Sequence, residues 1–167
     1  MMKPARFIRY YFLRFLRLKG DPRQISRGVA LGTFVGITPT IPLHTIALLI
    51  FTPLLRANIV ASFLASFLTC NPLTYLPQYY FSWMIGNWLT PNDLSWDRIK
   101  TVMDAVFSDA SFTERLNSLT LLGMDTIIVL VVGGFILATP FTLASYFVSL
   151  RFFTGLQAKR REKHVLN

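Results

Sequence analysis

Two prolines interrupt an apolar stretch at matching places, and no other feature limits the possible folds as sharply. From Gly28 to Leu89 the chain is almost wholly apolar and small, yet Pro39 and Pro72 fall inside it, 33 residues apart. At that offset Gly32-Thr33-Phe34 lies over Ala65-Ser66-Phe67, and Thr38-Pro39 over Asn71-Pro72. The spacing predicts a repeated unit: a small-residue helix of about 11 residues, a break, then an apolar arm of about 15. A first arm of that length reaches about 16 Å, half of a hydrocarbon layer roughly 30 Å thick. Such arms read as half-helices that turn back inside a bilayer; ordinary proline-kinked or proline-separated helices are the alternative. Peptide groups freed at a break inside lipid must be satisfied by protein or by a wet cavity. Paired discontinuous helices also mark the binding sites of transporters built from repeats.

Composition places the chain in a membrane. Of 167 residues 53% are hydrophobic, and the mean hydropathy is +0.47, too oily for a typical soluble domain of this length. The net charge of +9 belongs to the two ends. Residues 1–27 hold eight Lys or Arg against one Asp, and residues 151–167 hold five against one Glu. Residues 91–118 instead carry five acids and three bases. The positive-inside rule therefore puts both termini in the cytoplasm and the acidic segment outside, as in a multi-pass membrane protein. Nucleic acid is set aside as a partner. Cys70, the single cysteine, reads as a small packing residue. No signal-peptide pattern follows the basic start, so residues 1–22 are expected to stay on the mature protein.

The reading is one all-α membrane domain. Residues 1–22 form an interfacial basic amphipathic helix, with Arg6, Arg9, Arg14 and Arg17 on one arc toward anionic lipid and aromatic and aliphatic residues opposite. A helix docked on a partner protein is the alternative there. Residues 23–90 hold the two broken-helix, re-entrant-like hairpins, the first entering along Ser26, Gly28, Ala30, Gly32 and Gly36. Residues 91–118 form an outer amphipathic segment, residues 119–150 a long transmembrane helix, and residues 151–167 a basic cytoplasmic tail. Gly133-Gly134-Phe135 followed by Pro140 marks a candidate third break.

Polar side chains gather at the breaks. Thr40 or Ile41 is the expected cap of the helix after the first break, with Pro42 in its first turn. That helix would aim free N–H groups and a partial positive charge into the membrane. His44 and Thr45 follow, His44 reading either as a proton carrier or ligand group or as a histidine bonded to a nearby carbonyl. Arg56 then binds a lipid phosphate or sets topology, and Asn58 and Asn71 suit capping of broken backbone. Tyr75, Tyr79, Tyr80, Trp83 and Trp88 read as packing and interface anchors, with a substrate cage as the alternative. Two histidines with no acid or cysteine beside them make no metal site. Paired acids, a nucleophile with its base and a glycine-rich phosphate loop are all missing from the sequence, so neither an enzyme nor a cofactor is expected.

These residues carry a resemblance. Gly32, Gly36 and Pro39, then His44-Thr45, Arg56 and Asn58, and finally Asn71, Pro72 and Thr74 resemble the pattern of the bacterial membrane proteins of domain-of-unknown-function family 2062, over about residues 23–150. Where that pattern has a glycine before the His-Thr pair, this chain has Pro42. The resemblance implies a bacterial inner-membrane protein, and because some relatives are joined to glycosyltransferase domains it implies a link to lipid-linked sugar or envelope chemistry. Two functions stand. The first is a small transporter or lipid-handling protein with an anionic-substrate site lined by Thr38, Thr40, His44, Thr45, Arg56, Asn58, Asn71 and Thr74, which must then converge. The second is a non-catalytic structural or assembly subunit docked on a larger membrane complex; the expected partners are anionic membrane lipids and a homo-oligomer or larger membrane complex.

Overall fold

The structure is a computed structural model and describes residues 20–39, 43–70, 72–91, 94–107 and 123–165. The expected interfacial helix with Arg6, Arg9, Arg14 and Arg17 lies outside these residues, as do Thr40, Asn71 and residues 108–122. Among the described residues all regular structure is helical: α1 Pro22–Ile37, α2 His44–Leu54, α3 Ile59–Thr69, α4 Pro72–Leu89, α5 Trp96–Phe107 and α6 Met124–Val165.

Helix α1 begins where Asp21 accepts a hydrogen bond from the N–H of Arg23 over 3.0 Å, with Pro22 in the first turn, as helix starts favour. It runs for 16 residues, about 24 Å, and so exceeds the 16 Å expected of it, because the small-residue pattern does not register the first turn. Thr38 ends it in an extended conformation. Helices α2 and α3, each of 11 residues, are short.

Glycine decides the packing. A β-carbon on Gly28 would stand 2.9 Å from Cβ of Ala61, on Gly32 2.9 Å from Cβ of Ala65, and on Gly36 3.0 Å from Cβ of Thr69. Contacts rising together along both helices mean that α1 and α3 run parallel. Each pair also has the 33-residue separation of Pro39 and Pro72. Small residues at this seam bring the backbones together and build dispersion contact, the main source of helix association in lipid. Because α1 and α3 are parallel, α2 must bring the chain back between them. It does so: the N–H of Asn58 donates to the carbonyl of Gln24 over 2.9 Å.

After the second break the chain takes another course. Residues 59–69 and 74–89 meet at 87°, and α4 then lies antiparallel to the first half of α6, with Gly86 against Val129 and Gly133 against Ser82. The second half of α6 runs antiparallel to α1, placing Phe153 in a core with Ile25, Val29, Ala61 and Ala65. The expected third break is not one, since α6 passes through Pro140 as a single helix of 42 residues. Nor does it stop near Leu150: it continues through the basic segment to Val165. Met124–Lys159 is long and apolar enough to cross a membrane, with a mean hydropathy of 2.4 in its most apolar window, and the bent pair of α3 and α4 passes the same test only when taken together.

The amphipathic α5 is tied to α4 at its start. Trp83 donates its indole N–H to the carbonyl of Leu94 at 2.8 Å, Asn87 accepts from the N–H of Leu94 at 2.9 Å, and the rings of Tyr80, Trp83 and Trp96 gather with centroids 5.1–5.8 Å apart.

Candidate functional site

A cavity of about 740 Å³ opens between α1, α2 and α6. Its wall on α1 is the stripe Arg27, Leu31, Phe34 and Thr38, spaced to share one helix face. This is not the glycine stripe, which is taken up by α3. From α2 come Phe51 and Leu54, from the turn after it Arg56, and from α6 Phe135, Thr142 and Tyr146. Phe34 meets Phe135 edge to face at 4.9 Å, and both line the cavity toward Thr38. The walls are apolar, and among the described residues lining them Arg27 and Arg56 supply the only charges.

Both arginines belong to the same end of the cavity. Arg27 lies one turn along α1 from Gln24, and the Gln24–Asn58 hydrogen bond holds the segment after Arg56 at that level. The backbone of Arg56 is unusual: its φ is 49°, the left-handed region, and no other described non-glycine residue has a positive φ. The N–H of Ala57 donates to Thr52 at 2.9 Å and that of Arg56 to Pro53 at 3.0 Å. These two bonds form a Schellman motif, whose left-handed position usually holds glycine. Arginine there carries a steric cost of roughly 1–2 kcal/mol. In return, Arg56 joins Arg27 in lining the same end of the cavity.

Of the eight residues expected to line a common site, the structure brings Thr38 and Arg56 to this cavity. They stand at opposite ends of it. The hydroxyl of Thr38 donates to Phe34 at 2.9 Å. His44 turns toward α3, with Nε2 2.5 Å from Oγ of Ser66, and pins the returning helix to the α1–α3 pair. Thr45 is exposed. Asn58 caps α3, accepting from the N–H of Ala61 at 3.0 Å. Thr74 donates to the carbonyl of Thr69 at 2.7 Å, and Gln78 adds a second donor to the same oxygen at 3.1 Å. The carbonyl of Thr69, beside the second break, is thus satisfied by side chains of α4. The expected cap of α2 also moves: Leu43 takes the position and makes no side-chain bond. Thr40 and Asn71 lie outside the described residues.

Sequence reasoning missed Arg27, Thr142, Tyr146 and Ser66. Arg27 had a signal, since it heads the stripe through Leu31, Phe34 and Thr38 at helical spacing; the α6 residues had none, because only the tertiary fold opposes them to α1. Among the described residues no group of three His, Cys, Asp or Glu side chains gathers that could hold a metal.

Compared with known families, residues 5–162 match the model described as "Uncharacterized protein conserved in bacteria (DUF2062)". No curated protein and no solved structure matches the chain.

Proposed function

This chain belongs to the bacterial DUF2062 family, and we propose that it is a lipid-handling protein of the cytoplasmic membrane that holds an anionic amphiphile in the cavity between α1, α2 and α6. The phosphate or carboxylate head pairs with Arg27 and Arg56, and the apolar tail lies along Leu31, Phe34 and Phe135. The carrying observation is the left-handed Arg56 at the cavity mouth: strained backbone persists where the side chain it presents has a use. Two guanidinium groups at one end of an otherwise apolar space favour one amphiphile orientation, because guanidinium binds phosphate and carboxylate bidentately.

The membrane setting rests on the span Met124–Lys159 and on the large apolar side chains that α2 exposes, Leu49, Ile50 and Leu54 among them. In this setting α1 and α2 form a re-entrant hairpin that begins and ends at the cytoplasmic headgroups, beside the basic tails. The anionic-substrate site then moves from the helix breaks to the end where the hairpin closes.

The test is native mass spectrometry of the purified protein in detergent with dodecyl phosphate or dodecyltrimethylammonium. The phosphate amphiphile should be retained and the ammonium should not. Combining Arg27→Gln with Arg56→Gln should weaken retention by about tenfold or more, the value of lost charge-assisted hydrogen bonds. Equal retention of both head charges overturns the reading, and obligate co-purification with other chains then favours the subunit role.

A further inference from the structure

The size and lining of the cavity also suit one kind of amphiphile. Resting on the proposed arginine site, we infer that the ligand is a single-chain glycerophosphate lipid, whose ester carbonyl accepts a hydrogen bond from Thr142.

The first argument is volume. About 740 Å³, at roughly 30 Å³ of liquid volume for each water-sized group, holds about 25 heavy atoms. That is one fatty chain with a glycerophosphate head; a second chain would nearly double it. The space also has a shape. From Arg27 to Thr38 the α1 wall runs about 16 Å, with Phe34 against Phe135 toward its far end.

The second argument is an orphaned hydroxyl. Thr38, Thr52, Thr69, Thr139 and Thr154 each return their hydroxyl to the carbonyl four residues back. The buried Oγ1 of Thr142 finds no partner among the described residues, although Thr142 lines the cavity. Threonine in a helix divides between two χ1 rotamers, and rotation between them turns the hydroxyl to a new direction. A ligand acceptor inside the cavity would draw the hydroxyl out and relieve it.

Position makes that acceptor an ester. The antiparallel pairing sets Phe135 beside Phe34 and Phe153 beside Ile25 and Val29, so along α6 the cavity passes from Phe135 at depth to Tyr146 near the arginine end. Thr142 lies one turn, about 6 Å, below Tyr146. A phosphate held by Arg27 and Arg56 places the glycerol ester at that depth, whereas a simple alkyl phosphate has only methylene groups there.

The experiment compares oleoyl lysophosphatidate, dioleoyl phosphatidate and oleyl phosphate binding to the detergent-purified full chain by titration, for the unsubstituted protein, Thr142→Val, and Arg27→Gln with Arg56→Gln. Circular dichroism first confirms that each variant is folded. The monoacyl lipid should bind tightest, and Thr142→Val should weaken it on the order of threefold to tenfold while leaving oleyl phosphate unchanged. The inference is overturned if the diacyl lipid binds as tightly as the monoacyl one, or if Thr142→Val leaves monoacyl binding unchanged. In either case, loss of binding in the double arginine variant keeps the arginine site standing. If that variant binds all three lipids normally, the arginine site falls as well.

Discussion

The backbone N–H of Asn58 donates to the carbonyl oxygen of Gln24 across 2.9 Å, so the chain returns, after a helix, a break and a second helix, to the level from which it set out. The side chain of Asn58 then starts α3 by accepting from the N–H of Ala61. One residue therefore closes the excursion and directs the next helix parallel to α1. Removing the side chain leaves the backbone bond intact but frees an N–H at the start of α3. Asn58→Ala is expected to cost about 1 kcal/mol and Asn58→Ser only a few tenths, read as thermal unfolding of the purified protein in a fixed detergent. Equal losses from both would show that the cap does not matter.

Gly32 offers a sharper test of the parallel seam. A β-carbon there would run into the carbonyl oxygen of Ser62 and stand 2.9 Å from both Cβ of Ala65 and the backbone nitrogen of Ser66. Backbone cannot swing aside as a flexible side chain can. Gly32→Ala should therefore destabilise by about 1–3 kcal/mol, despite the better helix propensity of alanine. Gly155, in α6, has nothing within 4 Å of a built β-carbon, and Gly155→Ala should be neutral or stabilising by up to roughly 1 kcal/mol. Matched unfolding curves for the two variants decide the point, and equal shifts would contradict the close approach.

This seam was the part of the fold most open to reading from sequence. Gly28, Gly32 and Gly36 recur every four residues, a spacing that allows close helix contact, and the residues 33 positions later turn out to be their neighbours. The breaks were less uniform. Pro39 is followed three residues later by Pro42, whereas Pro140 stands alone within α6, where losing one backbone hydrogen bond bends a helix without ending it. Arg56 was legible as a polar residue at a helix end, but its left-handed backbone was not. The Leu55-Arg56-Ala57 sequence has no glycine to announce it, although the bonds to Thr52 and Pro53 close the helix end there. His44 and Asn58 were visible as polar residues in an oily run; that both hold helices in place instead of lining the cavity depends on how α2 returns.

The His44–Ser66 pair bridges α2 and α3 through Nε2 and Oγ, 2.5 Å apart. Ser66 is 1% exposed, so losing its partner strands a buried hydroxyl. Replacing either residue alone, by His44→Phe or Ser66→Ala, should cost about 1–3 kcal/mol. The double substitution should cost less than the sum, with a coupling of roughly 0.5–1.5 kcal/mol. Full additivity in a double-mutant cycle would remove the bridge from the account.

Arg56→Gly separates stability from binding. Glycine takes a φ of 49° without the clash a β-carbon meets, and it keeps both Schellman bonds, from Arg56 to Pro53 and from Ala57 to Thr52. The variant should therefore be more stable by about 1 kcal/mol, an amount reached when strain in the left-handed region is relieved. It should also bind dodecyl phosphate more weakly, because one of the two guanidinium groups at the mouth is gone. Arg56→Lys serves as the counterpart: it keeps the strain and a positive charge but loses bidentate geometry, so its stability should match the parent while its affinity falls between parent and Arg56→Gly. A stabilised Arg56→Gly with unchanged affinity would mean that the strain serves topology or folding, and Arg56 would drop out of the binding site.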